Sequence, residues 1–219
     1  MKNNISNYEK MKNHMAGVFL QYDQERMIQK FTLEHDENYI YIPFVGRRYR
    51  IDRLKGTVTW SNDFFQTEGK ADYNEVMTIY DVLCHSKENC YLADEWVNVG
   101  SLASVQSGTL AKGNDFFQNA GQYFDGKTNK LARACEILGG RKIKKGDVGY
   151  ELELFPFLSL SLCFWESDED FPASLQILAD KNILDYMHYE TLMFAVTHML
   201  DRLKDECEEG GNARVATGT

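Results

Sequence analysis

From Glu151 to Trp165 the chain alternates with a period of two. Leu152, Leu154, Leu158, Leu160, Leu162 and Phe164 hold the even positions; Glu151, Glu153, Phe155, Phe157, Ser159, Ser161, Cys163 and Trp165 hold the odd ones. Alternate side chains of an extended strand point to opposite faces, so this pattern predicts one long strand from about Tyr150, and a strand of that length must pair within a sheet. It runs into Trp165-Glu166-Ser167-Asp168-Glu169-Asp170-Phe171-Pro172, where four carboxylates stand beside an indole and a phenyl ring. The expected hairpin continues into Ser174–Asp180. There Leu175, Ile177 and Ala179 alternate as a strand does, although Leu175 with Leu178 also fits a helix; the returning strand is the favoured reading.

The first third supplies a second set of strands. Phe31 to His35, Tyr39 to Phe44, Arg47 to Asp52 and Thr57 to Trp60 alternate between breaks at Asp36-Glu37-Asn38, Gly46 and Lys55-Gly56, the pattern of an antiparallel meander. Helical spacing appears elsewhere. Tyr8, Met11, Met15, Val18 and Tyr22 predict one stripe of an N-terminal helix, and Asp23 predicts the cap of a short helix reaching about Lys30. Asp72-Tyr73-Asn74-Glu75 has capping-box spacing ahead of Val76, Ile79, Tyr80 and Leu83. Helices are also expected over Asn114–Phe124, over Leu131, Ala134, Cys135 and Leu138 up to Gly139-Gly140, and over Leu192, Val196, Met199, Leu200 and Leu203. Between Glu88 and Lys112 no period persists, apart from a short strand expected around Trp96.

These elements predict an α+β protein: a mainly antiparallel sheet, made of the N-terminal meander and the long C-terminal hairpin, packed on amphipathic helices. A length of 219 residues with 43% apolar content and no Pro/Gly/Ser-rich linker predicts a single domain over residues 1–207, followed by a flexible tail over 208–219. No apolar run reaches the roughly 18 residues of a bilayer span, and Met1–Asn7 lacks a signal-peptide core, so a cytoplasmic location is expected. Five scattered cysteines without a Cys-x-x-Cys pair suit reduced thiols, and no cofactor is predicted.

The net charge of −9 is concentrated late in the chain. Residues before Glu166 include 20 basic and 21 acidic side chains, whereas residues 166–209 include 3 basic and 12 acidic ones. That surface repels phosphate backbones and argues against nucleic-acid binding, and it suits a protein partner with a basic surface.

Several clusters are candidates for chemistry. Glu166, Asp168 and Asp170 alternate like the ligands of a calcium loop, but position six is Phe171 where glycine is required and position twelve is Ile177 where glutamate is required. A solvated turn whose carboxylates cap backbone N–H groups is the simpler reading. Cys84, His85 and Cys90 offer three soft ligands, yet adjacent helix positions point Cys84 and His85 apart, so no metal site is predicted. His188 and His198 lack the one-turn spacing of a metal pair. Arg47, Arg48 and Arg50, with Arg53 and Tyr49, form a basic cluster that suits either an anion clamp or a solvated strand face. Neither Gly-x-Gly-x-x-Gly nor Gly-x-x-x-x-Gly-Lys occurs.

Three groups of residues carry a resemblance: Pro43-Phe44-Val45-Gly46-Arg47-Arg48-Tyr49-Arg50; Leu83-Cys84-His85 with Trp96-Val97; and above all Phe164-Trp165-Glu166-Ser167-Asp168-Glu169-Asp170-Phe171-Pro172. In these the chain resembles an uncharacterised domain-of-unknown-function family of mainly anaerobic bacteria and archaea. Some members are fused to an iron-sulfur module, and some occur beside corrinoid-dependent methyl-transfer proteins. The resemblance implies an accessory role in anaerobic redox or one-carbon metabolism, and it supplies no catalytic residue. The chain departs from the fused members because its cysteines are too scattered for a cluster. Two functions follow as expectations. One is a non-catalytic binding or accessory protein that docks through the acidic quarter, with Trp165 and Phe171 as apolar anchors. The other is a small-molecule enzyme using Asp168, Glu169 or Asp170 as acid or base, with His85 or an arginine orienting an anion.

Overall fold

The computed structural model describes residues 6–102 and 113–212. It is an α+β protein with two five-stranded antiparallel sheets, and its contacts group the chain into two compact units. The first unit holds residues up to Tyr91 together with Leu184–Thr197; the second holds Leu92–Ile183 and the chain from His198 onward.

In the first unit, helices α1 (Asn7–Phe19) and α2 (Gln24–Phe31) precede a meander of β1 (Glu34–His35), β2 (Tyr39–Phe44), β3 (Arg47–Asp52), β4 (Val58–Ser61) and β5 (Gly69–Lys70), paired in sequence order. Val45 and Gly46 join β2 to β3 with φ of 45° and 70°, the two left-handed residues of a type I′ hairpin turn. One face of this sheet buries Ile40, Ile42, Phe44, Tyr49 and Ile51, as alternation requires. Helix α3 (Tyr73–His85) opens on the expected capping box: Asp72 accepts from the Glu75 N–H at 2.9 Å while Glu75 accepts from the Asp72 N–H at 2.6 Å.

Two expectations for this unit are corrected. The stripe predicted on α1 is not its buried face, because Tyr8 and Met11 are exposed while Ala16 and Phe19 are buried. The helix approaches the β3–β4 turn so closely that a Cβ on Gly56, whose φ is +70°, would lie 2.6 Å from the Ala16 carbonyl oxygen, and only a small residue faces that turn. The strand expected from Phe31 is only Glu34–His35, because Phe31 closes α2 and Thr32 ends it in the left-handed conformation.

The second unit contains β6 (Trp96–Asn98), α4 (Gly113–Phe124), α5 (Thr128–Ile137), β7 (Arg141–Lys142), β8 (Val148–Phe155), β9 (Leu158–Trp165) and β10 (Ser174–Asp180), with strand order β6-β10-β9-β8-β7. The alternating stretch predicted as one strand is therefore two. Pro156 has no N–H to give a ladder, and with Phe157 it forms a two-residue turn that pairs Phe155 with Leu158. Both strands keep their leucines on one buried face because a register shift between Glu153 and Phe155 pairs Leu152 with Leu160, where an unbroken two-residue hairpin would set it opposite Ser161. The expected return strand is β10, which pairs Leu175 with Phe164.

Helices α4 and α5 pack on β10 and β8 respectively. The last helix, α6 (Tyr189–Asn212), buries Leu192, Val196, Met199, Leu200 and Leu203, and it extends past residue 208, where the tail was expected. Residues 213–219 of that tail, and 103–112 of the segment expected to be irregular, lie outside the described residues. Among the described residues no helix is long and apolar enough to cross a membrane.

Candidate functional site

The arginine cluster is neutralised within its own unit. Arg47 stacks 4.1 Å over Trp60 and meets Glu75 at 3.2 Å, Arg48 pairs with Glu34 at 2.6 Å, and Arg50 pairs with Glu68 between the rings of Tyr39 and Phe65. A pocket of about 210 Å³ adjoins them, lined by Tyr41, Arg48, Phe64 and Phe65 among others. Paired guanidiniums stacked on rings serve first to hold the sheet's outer face together.

The acidic turn behaves as a capped loop. Asp168 Oδ1 accepts from the N–H groups of Asp170 and Phe171, at 2.9 and 2.8 Å; Glu166 accepts from the Thr128 hydroxyl; and Ser167 donates to Asp125. Glu166, Asp168, Glu169, Asp170, Phe171 and Pro172 are all exposed, Phe171 at 70%, while Trp165 at the end of β9 is half-buried. Trp96 lies half-exposed on β6, opposite Asp180.

His85 has a different setting. It ends α3, one turn after Asp81, and the i, i+4 spacing puts both on one face of the helix. The carboxylate of Asp81 is only 7% exposed, and its Oδ1 lies 2.9 Å from Nδ1 of His85 and 2.7 Å from Nδ1 of His188. Its Oδ2 accepts the backbone N–H of His188 at 2.8 Å. Two imidazoles that are 34% and 61% exposed thus converge on a single buried oxygen, with ring centroids 5.6 Å apart. An imidazole that in its neutral form donates from Nδ1 keeps a lone pair on Nε2, so the contact with Asp81 favours that tautomer in each ring.

The backbone around the cluster is also fixed. Lys87 N–H donates to the Asp185 carbonyl at 2.8 Å, and their side chains pair at 2.6 Å, which ties the segment carrying His188 to the end of α3. Lys30 Nζ reaches Ser86 Oγ and the Lys87 carbonyl, each at 2.6 Å, placing a cation at the helix C-terminus. The ring of Tyr22 stands edge-on, 6.0 Å from His85. Burial works to raise the pKa of Asp81, but hydrogen bonds from the His188 N–H, both imidazoles and Thr191 outweigh it and hold the carboxyl below its ordinary value. Cys84 does not join this group: burial, with Asp81 adding to it, pushes its thiol up to about 12, so it stays protonated and inert.

Of the residues singled out in the sequence, the structure therefore brings His85 into a constellation with Asp81 and His188, while the arginines and the acidic turn stand in networks of their own. Asp81 was not picked out from the sequence, although Asp-x-x-x-His at one-turn spacing was the available signal. His188 carried no such signal, since it lies 107 residues from Asp81.

No curated protein and no solved structure matches the chain. A family model does match, over residues 23–202, which include every member of the cluster. By that match the chain belongs to the family described as domain of unknown function DUF3786.

Proposed function

We propose that this chain is a binding or accessory protein whose ligand meets the Asp81-held histidine pair. It acts in the cytoplasm, as the lack of a long apolar run suggests, and in anaerobic redox or corrinoid-linked one-carbon metabolism, as the resemblance described above implies. The observation that carries the binding role is the convergence of two exposed imidazoles on one buried carboxylate oxygen, at 2.9 and 2.7 Å. Such a carboxylate is normally spent on orienting imidazoles for a task outside the core. The enzyme alternative needs a desolvated carboxylate in the 166–170 turn; those groups are exposed, and Asp168 is engaged in capping. A thermal-shift screen of the full chain against corrinoids, flavins, folates and divalent metals is the test. A ligand that binds only the folded state raises Tm by mass action, and the shift is expected to vanish in the His85→Gln/His188→Gln double variant. A screen without any shift, or a shift that survives both substitutions, overturns the proposal.

A second reading has its own observation. Phe171 projects from a loop that Asp168 and Asp125 hold in place, surrounded by exposed carboxylates, and this suits an apolar anchor for a basic protein partner. Phe171→Ala leaves the loop's hydrogen bonds intact, so it is expected to remove partners from an affinity capture that wild type retains. Identical partner sets for the two proteins would sink this reading.

A further inference from the structure

We propose that Asp81, His85 and His188 hold a divalent first-row transition metal ion, through Oδ1 and the two Nδ1 atoms. This inference rests on the binding role proposed above and names its ligand. One potential ligand atom from each residue lies within 4.8 Å of the other two. Two imidazoles and one carboxylate on one side of an ion, with the remaining positions open, form a recognised coordination set for such metals.

The distances support it. Neighbouring ligands of an octahedral ion with bonds near 2.05 Å stand about 2.9 Å apart, an edge derived from ordinary metal–nitrogen and metal–oxygen lengths. Oδ1 lies 2.9 and 2.7 Å from the two nitrogens. An ion can therefore replace the two donated protons with little change in the oxygen–nitrogen distances, each ring staying neutral because the proton that leaves Nδ1 for solvent is replaced by one taken up from solvent at Nε2. Asp81 Oδ2 is already engaged by the His188 N–H, so the carboxylate binds through one oxygen and stays oriented. The exposure of both rings gives the ion an entry path and leaves its other positions to water or an exogenous ligand. Imidazole favours zinc, copper, nickel, cobalt and iron, whereas calcium and magnesium prefer a set made wholly of oxygens.

The test is a titration of tag-free full-length protein, stripped with chelator, using cobalt(II) alone, followed by its visible d–d absorption and by calorimetry. One equivalent per chain is expected, with a spectrum that reports nitrogen ligation. His85→Gln and His188→Gln are each expected to weaken binding at least about 100-fold, the upper end of what loss of a mere supporting group costs. His188→Gln keeps the backbone bond to Asp81 and should remain folded by circular dichroism. His14→Gln, on an exposed face of α1, is expected to bind as wild type does. Absence of a stoichiometric site, or binding that survives both glutamine substitutions, overturns the inference. If cobalt fails while an organic ligand still shifts Tm through the same histidines, the metal inference falls and the binding role stands; if both fail, both fall.

Discussion

Asp81→Ala is expected to destabilise the metal-free protein by about 2–4 kcal/mol, measured by urea unfolding at pH 7 in the presence of chelator. The carboxylate is buried and accepts from the His188 N–H, from two imidazoles and from the Thr191 side chain, so truncation removes all of these hydrogen bonds at once. It also leaves donors without their acceptor at the point where the chain turns into α6. Loss of a well-placed partner costs more than the bond itself contributes, because the orphaned groups must find water or stay unpaired. Asp81→Asn fills the volume and returns one acceptor oxygen, so it should recover part of the loss.

The same group gives a pH signature with a definite sign. Its carboxyl pKa is lowered in the folded protein, so the unfolded state binds the proton more readily. The stabilisation is then fully present above the unfolded value of about 3.9 and is lost as pH falls through the lowered folded value. Unfolding free energies measured across that window should fall less steeply in Asp81→Asn than in wild type. Parallel profiles would show that the carboxylate is not held as the geometry indicates.

Phe164→Ala is expected to be costlier still, at about 3–5 kcal/mol. The ring is fully buried near the end of β9, between Val148 of β8 and Leu175 of β10, and lies edge-on to Phe124 of α4 at a centroid distance of 6.5 Å. Strand neighbours on both sides and a helix above leave little room for collapse into the space it vacates, and that residual cavity is what makes such truncations expensive. Trp165→Ala, one residue further on the half-exposed face, should cost far less. A urea midpoint for Phe164→Ala no lower than that for Trp165→Ala would contradict the burial pattern.

How far the sequence determined the protein can be followed residue by residue. Local rules sufficed where one periodicity or one cap decides the outcome. The Asp72/Glu75 box, the Asp23 cap, the strand pair 39–44 and 47–52, and the burial of Leu192, Val196 and Leu203 all depend on residues within a few positions of one another. The same rules misjudged α1, because burial there is set by a close approach to Gly56, forty residues beyond Ala16, and no spacing within the helix records it. They also joined β8 to β9, because the parity that a two-residue turn at Pro156–Phe157 reverses is restored by the register shift between Glu153 and Phe155, so period two runs on through the sequence.

The candidate site divides in the same way. The Asp81–His85 pairing follows from 3.6 residues per turn and was legible in principle. The convergence of His188 on the same oxygen was not, since it needs the chain to return after 107 residues and present both a ring and a backbone N–H to one carboxylate. What the sequence determined by itself is the α+β class, most of the elements and the placement of excess acid in the last quarter of the chain, because these depend on side-chain character and short-range order. Only the tertiary structure decided that the arginines are paired, that the acidic turn is capped and that two distant histidines share Asp81, because hydrogen bonding and desolvation act through space.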